Sequence, residues 1–107
     1  MPVSYAIEFQ VVPGKREEFL ERLCEVLDAM KVETTYCEAV LHQDPTSENH
    51  FMLYETWDNH DDVVNVQLNR PYRHAWHDAL PRILASERKI GVWEPIRADP
   101  KRSPKTR

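Results

Sequence analysis

Glycine is nearly absent: only Gly14 and Gly91 occur in 107 residues. Loops that cradle the phosphates of dinucleotides or nucleoside triphosphates need several glycines in close succession, so such sites are excluded. Cysteine is equally scarce. Cys24 and Cys37 are too few for a disulfide framework and suit a reducing compartment. No window approaches the roughly 18 consecutive apolar residues that a membrane span needs. The chain runs straight into Val3, Tyr5, Ile7 and Phe9, without the charged, apolar and cleavage-site succession of a secretory leader. A cytoplasmic location away from membranes is the expectation.

Positive charge is short as well. The net charge is −4, and residues 98–107 hold Lys101, Arg102, Lys105 and Arg107 against Asp99. Setting that tail aside leaves 10 basic and 17 acidic residues, a body at −7. Such a body repels a phosphate backbone, so no nucleic-acid partner is expected. The division is then a domain over 1–97 and a basic tail over 98–107, the latter suiting a frayed terminus.

What is present is a globular balance, 41% apolar and 30% charged, with length for one domain and one core. Val3, Tyr5, Ile7 and Phe9 alternate as one face of a strand that Pro13-Gly14 stops. Between Lys15 and Met30, Phe19, Leu20, Leu23, Val26, Leu27 and Met30 form a helical stripe, with Cys24 at its border. A second strand spans 34–42, with Tyr36, Glu38, Val40 and His42 alternating against Cys37, Ala39 and Leu41. The polar loop 43–49 returns it as a third strand, 50–57, an antiparallel hairpin. There Phe51, Leu53, Glu55 and Trp57 share a face.

Asp58 and Asn59 offer an N-cap to a short helix ending near Leu68. Pro71 suits the first turn of another, running to about Ser86, with Tyr72, Ala75, Trp76, Ala79, Leu80 and Ile83 inward and a kink or break near Pro81. A last strand covers 88–96. The order β-α-β-β-α-α-β predicts an α+β, ferredoxin-like split βαβ with an antiparallel sheet. Helices cover only one face of such a sheet, yet Tyr5, Phe9, Met52, Tyr54, Val92 and Trp93 place apolar groups on both. A second subunit is the simplest cover, so a homodimer is expected.

The run Val12-Pro13-Gly14-Lys15-Arg16-Glu17-Glu18-Phe19, followed by Phe51-Met52-Leu53-Tyr54-Glu55-Thr56-Trp57, resembles the antibiotic biosynthesis monooxygenase family. The resemblance extends from about Val3 to Trp93. It implies a dimeric α/β barrel and a cofactor-independent monooxygenase that oxidises a quinol or related aromatic with dioxygen. The family also holds members of other activity. Two departures stand out. Gln67 occupies a position where many relatives have histidine, and Glu33-Thr34-Thr35-Tyr36-Cys37 replaces a glycine-cysteine pair before strand two. Related barrels that degrade haem use an asparagine on strand one and a histidine on the last helix. Strand one here has no asparagine, and Trp76 stands at the histidine position.

A cofactor-free oxygenase must supply a base, donors for an oxyanion and a dry pocket. His77 and Tyr72 are the candidate bases. Arg73, Asn69, Gln67, Trp57 and Trp76 are candidate contacts to a flat aromatic substrate, with Glu55 beside them. Each has a plainer reading: Tyr72, Trp76 and Trp57 suit a core, and His77 suits a surface. Glu55 reads as a carboxylate paired with Arg73 or Arg70 ahead of a pocket acid of raised pKa. His74 and His77 have the spacing of a metal pair but no third ligand at sensible spacing, so neither metal nor other cofactor is expected. Two rival functions stay open: a non-catalytic small-molecule-binding or stress-response dimer, and an isomerase or degradative enzyme for a small signalling carbonyl compound.

Overall fold

The computed structural model describes residues 1–101. Of the basic tail, Arg102, Lys105 and Arg107 lie outside the described residues. Strand β1, Val3–Gln10, leads through a tight turn into helix α1, Arg16–Met30. Gly14 holds φ +89° in that turn, a left-handed conformation costly to any residue with a Cβ. The hairpin of β2, Tyr36–Gln43, and β3, His50–Trp57, follows. Helix α2, His60–Asn65, then gives way to two 3-10 turns, Gln67–Asn69 and Pro71–Arg73, before helix α3, His74–Ile83, and strand β4, Lys89–Trp93.

The sheet order is β2-β3-β1-β4, with every neighbouring pair antiparallel. This is the expected α+β, ferredoxin-like split βαβ. Tyr5 lies opposite Glu55 on one side and Val92 on the other, and Ile7 opposite Leu53 and Ile90. Because side chains alternate along a strand, these six share the face that the helices cover.

That face carries the core. Phe9 and Phe19 meet edge to face at 5.1 Å, Phe19 and Phe51 lie 4.8 Å apart, and Trp76 completes the group 5.9 Å from Phe9. Such pairs add about 0.5–1.5 kcal/mol each beyond their buried area. The helix α1 stripe behaves as read, with Phe19, Leu23, Val26 and Met30 buried and Leu20 and Leu27 packed against them. Cys24, expected at its border, is exposed.

Several details differ from expectation, each for a local reason. A bulge between Tyr36 and Glu38 sets two residues of β2 against one of β3. Tyr36 therefore joins Ala39 and Leu41 on the core side, 5.5 Å from the Trp57 ring, rather than alternating with Glu38 and Val40. Helix α2 is capped by the Asn59 side chain, which accepts from the Asp62 N–H at 3.0 Å, but it ends at Asn65 and tightens into 3-10 geometry. The stretch from Pro71 is not one helix to Ser86. Its first turn is 3-10, and α3 ends at Ile83, two residues beyond Pro81, where Leu84 turns extended. Ala75 sits at the edge of the buried stripe formed by Trp76, Ala79, Leu80 and Ile83 and is exposed.

The apolar residues divide between the two sheet faces. Tyr5, Phe9 and Val92 belong with the helices, as the register requires. The opposite face keeps Ala6, Val40, Met52, Tyr54 and Trp93, a smaller apolar surface that no element among the described residues covers.

Candidate functional site

A cavity of about 220 Å³ lies between the core face of the sheet and the helices. Its walls are apolar: Ile7, Phe9 and Leu53 from the sheet, Leu23 and Val26 from α1, and Trp76 from α3. Val64, Leu68, Ile90 and Val92 also line it while remaining substantially exposed, so they form its rim. Besides the Trp76 indole N–H, five polar or charged side chains in this lining can hydrogen-bond: Tyr5, Glu55, His60, Arg73 and Arg88.

Glu55 arrives at the cavity because it takes an inward position on β3, between Leu53 and Trp57. It is only 5% exposed. The Trp57 indole N–H donates to its Oε1 at 3.2 Å. Among the described residues it makes no ion pair. The expected pairing with Arg70 fails because that guanidinium donates to Glu33 Oε1 at 3.0 Å. Arg73 acts on Glu55 through its charge, not by contact. Burial consequently pushes the Glu55 carboxyl above the ordinary carboxylate range, while the charge of Arg73, the Trp57 bond and the charge of Arg88 pull it part of the way back. Glu55 is thus a pocket acid of raised pKa.

Arg73 is the second buried charge, 6% exposed. The 3-10 turn that precedes α3 brings it inward. Its guanidinium carbon stands 5.9 Å from the Trp57 ring and 5.8 Å from the Tyr72 ring. These aromatic faces hold the cation, yet its Nε and Nη2 have no hydrogen-bond partner among the described residues. In the same lining, the Tyr5 hydroxyl lies 2.7 Å from His60 Nδ1. Burial, and then the charge of Glu55, raise the Tyr5 phenol above its ordinary value.

The remaining residues expected at a site are placed as follows. His77 lines an adjoining surface groove with Leu80, Pro81 and Leu84, and Leu68 and Arg88 line both this groove and the cavity. Burial and the charges of Arg88, Arg73 and His74 lower the His77 pKa, so its imidazole is neutral at neutral pH. Tyr72 turns away, donating its hydroxyl to Glu33 Oε2 at 3.0 Å. Trp57, fully buried, supports Glu55 and Arg73 from outside the lining. Gln67, 2% exposed, spends its amide on Asp62 Oδ2 at 3.1 Å, and Asn69 donates to the Asn65 carbonyl at 3.1 Å. Of the residues expected at the site, the structure therefore brings Glu55, Arg73 and Trp76 together at the cavity.

Tyr5, His60 and Arg88 were not anticipated. Tyr5 reads as an ordinary strand residue, and only the register that sets it opposite Glu55 gives it a place here. His60 opens helix α2 and Arg88 immediately precedes β4, and at such element ends periodicity carries little information about direction.

Comparison with known proteins agrees with this architecture. The profile of the antibiotic biosynthesis monooxygenase family matches residues 2–79. A protein of Pestalotiopsis microspora named "Putative monooxygenase" is 32% identical over 92 residues, covering 85% of this chain and 77% of that protein. Among solved structures, one from Nitrosomonas europaea superposes with a TM-score of 0.83 at 18% identity, covering 89% of this chain and 90% of the other. SnoaB of Streptomyces nogalater, a cofactor-independent oxygenase, superposes with a TM-score of 0.78 at 17% identity, over 94% of this chain and 98% of its own. The sheet order, the helix-covered cavity and the profile match converge: the chain belongs to the antibiotic biosynthesis monooxygenase family.

Proposed function

We propose that this chain is a cofactor-independent monooxygenase, working as a homodimer, that oxidises a quinol or related aromatic with dioxygen. The observation that carries the reading is a buried carboxylate of raised pKa and an arginine with unpartnered donors lining one apolar cavity. Family membership and the likeness to SnoaB support it. The uncovered sheet face with Met52, Tyr54 and Trp93 supports the dimer.

In this reading the aromatic ring lies against Phe9 and Trp76. Glu55 takes the phenolic or benzylic proton, a transfer made easier by its raised pKa. Arg73 donates to the oxygen on which negative charge develops, in a medium dry enough for that interaction to be strong. The electron-rich carbanion then reduces dioxygen by one electron, and the radical pair collapses to a carbon-bound peroxide. Loss of water leaves a carbonyl. For an anthrone the balance is complete: two C–H bonds break, one oxygen atom enters the product, and the other departs as water with both hydrogens. All the electrons come from the substrate. His77, held neutral, is the alternative base.

The test is oxygen uptake by metal-stripped protein against reduced naphthoquinols and anthrones, above the autoxidation background. Uptake is expected to fall at least tenfold in Glu55→Gln and to persist in Tyr72→Phe; a fall confined to His77→Ala would transfer the role of base. Uptake seen only with added flavin or metal would refute cofactor independence. No uptake, with aromatic compounds still raising Tm, would replace the enzyme by a binding module.

A further inference from the structure

The charges around the cavity do not balance. Its lining holds two guanidinium groups, Arg73 and Arg88, and one carboxyl, Glu55. Burial raises the pKa of that carboxyl, and the charges of the two arginines pull it back only part of the way. Two nitrogens of Arg73 are buried without a partner. Arg88 sits just before β4, and among the described residues no hydrogen bond or ion pair engages it. Burial and the nearby charge of Arg73 both work against its protonated form. A buried guanidinium without a counter-charge is costly, and two placed near each other add mutual repulsion. Elsewhere in the described residues arginines meet carboxylates: Arg22 and Arg82 share Glu18, and Arg70 has Glu33. The two arginines of the cavity have none of their own.

We infer that the cavity is built for an anionic ligand, a small fused-ring aromatic carboxylate whose charged group is bound between Arg73 and Arg88 and whose ring lies against Phe9 and Trp76. A forked guanidinium matches a carboxylate with paired N–H donors, a geometry that an ester or a neutral phenol cannot reproduce. Size agrees with the assignment. A cavity of about 150 Å³ holds benzene, so one of about 220 Å³ suits a bicyclic acid. The inference deepens the oxygenase reading by naming the acidic group its substrate carries, and it rests on that reading only for the word substrate, since binding is tested without turnover.

The experiment is calorimetric titration of the full chain with naphthoate and with its methyl ester, neither of which has the labile hydrogen or the electrons for oxidation. Naphthoate is expected to bind at least tenfold more tightly than the ester, with that preference falling below threefold in Arg73→Gln and in Arg88→Gln. Arg88→Gln remains informative if Arg73→Gln, which loses its place between Trp57 and Tyr72, does not fold. In the unaltered chain, the His77 imidazole titration, followed by NMR, is expected to move upward on naphthoate binding, because the anion offsets the charges of Arg88 and Arg73, which add to burial in holding it down. Equal binding of acid and ester, or a preference that survives both substitutions, overturns the inference. Oxygen uptake that fails while the preference persists would sink the oxygenase reading and leave the anion site standing; uptake with neutral substrates and no acid preference would do the reverse.

Discussion

Replacing Trp57 by phenylalanine isolates the support of the buried carboxylate. The indole is fully buried, donates to Glu55 Oε1 at 3.2 Å, and presents its face to Arg73 at 5.9 Å. Phenylalanine keeps a ring against Tyr36 and Arg73 but removes the donor. A hydrogen bond to a charged group contributes about 1.5–3 kcal/mol, and weakening the cation–π contact adds about 0.5–1 kcal/mol. The variant should therefore lose about 2–4 kcal/mol. Urea unfolding at an unchanged m-value of about 2 kcal/mol per molar would show this as a midpoint lower by roughly 1–2 M.

The pH dependence gives the sharper test. Glu55 has a folded pKa above its ordinary value, so its contribution to stability is fully present below the ordinary carboxylate pKa and is lost as pH rises through the folded one. The Trp57 bond favours the ionised form and softens that decline. Its removal should cost more on the alkaline side of the Glu55 titration than on the acid side. A loss below about 0.5 kcal/mol at neutral pH, or the same loss on both sides, would refute the assignment of the bond.

Two further outcomes follow from charges at the surface. Glu18 is held down to about 2 by hydrogen bonds from Arg82 and then Arg22. Its stabilising contribution is thus present above the ordinary carboxylate value and lost as pH falls toward about 2. Arg82→Met should move the Glu18 midpoint upward in a carboxyl-carbon NMR titration, and an unmoved midpoint would contradict the pairing. The Cys37 thiol is pushed up to about 11 by burial and by its bond to Asp58 Oδ1 at 3.2 Å. Its alkylation by iodoacetamide near pH 8.5 should run on the order of a hundredfold slower than that of an unperturbed thiol. Asp58→Asn should accelerate it, and a rate like that of a free thiol would show the bond to be absent in solution.

The elements were legible wherever periodicity had length to work with. Strand β1 and helix α1 each repeat their pattern over two turns or more of apolar residues, and both formed with the expected inward faces. Legibility failed where one residue changes the phase. The bulge after Tyr36 reverses the side on which that residue lies, and the 3-10 geometry between Gln67 and Arg73 breaks the helical count that would have continued through Tyr72. Neither event has a composition of its own. Arg73 was visible as a candidate donor, but its burial against Trp57 and Tyr72 depends on that turn.

Local order along the chain, then, follows from alternation, capping and turn chemistry: four strands, an amphipathic first helix, the left-handed turn at Gly14 and the N-cap at Asn59 are consequences of nearest neighbours. The partners of the charges are not. Glu55 reads as a carboxylate that an arginine will neutralise, and several arginines are close in sequence. That none among the described residues pairs with it, Arg73 and Arg88 acting only through their charge, is settled by the register of β3 against β1 and by the turn that commits Arg70 to Glu33 while turning Arg73 inward. Burial and electrostatic pairing depend on distances through space, between residues far apart in sequence, and no periodicity along the chain encodes them.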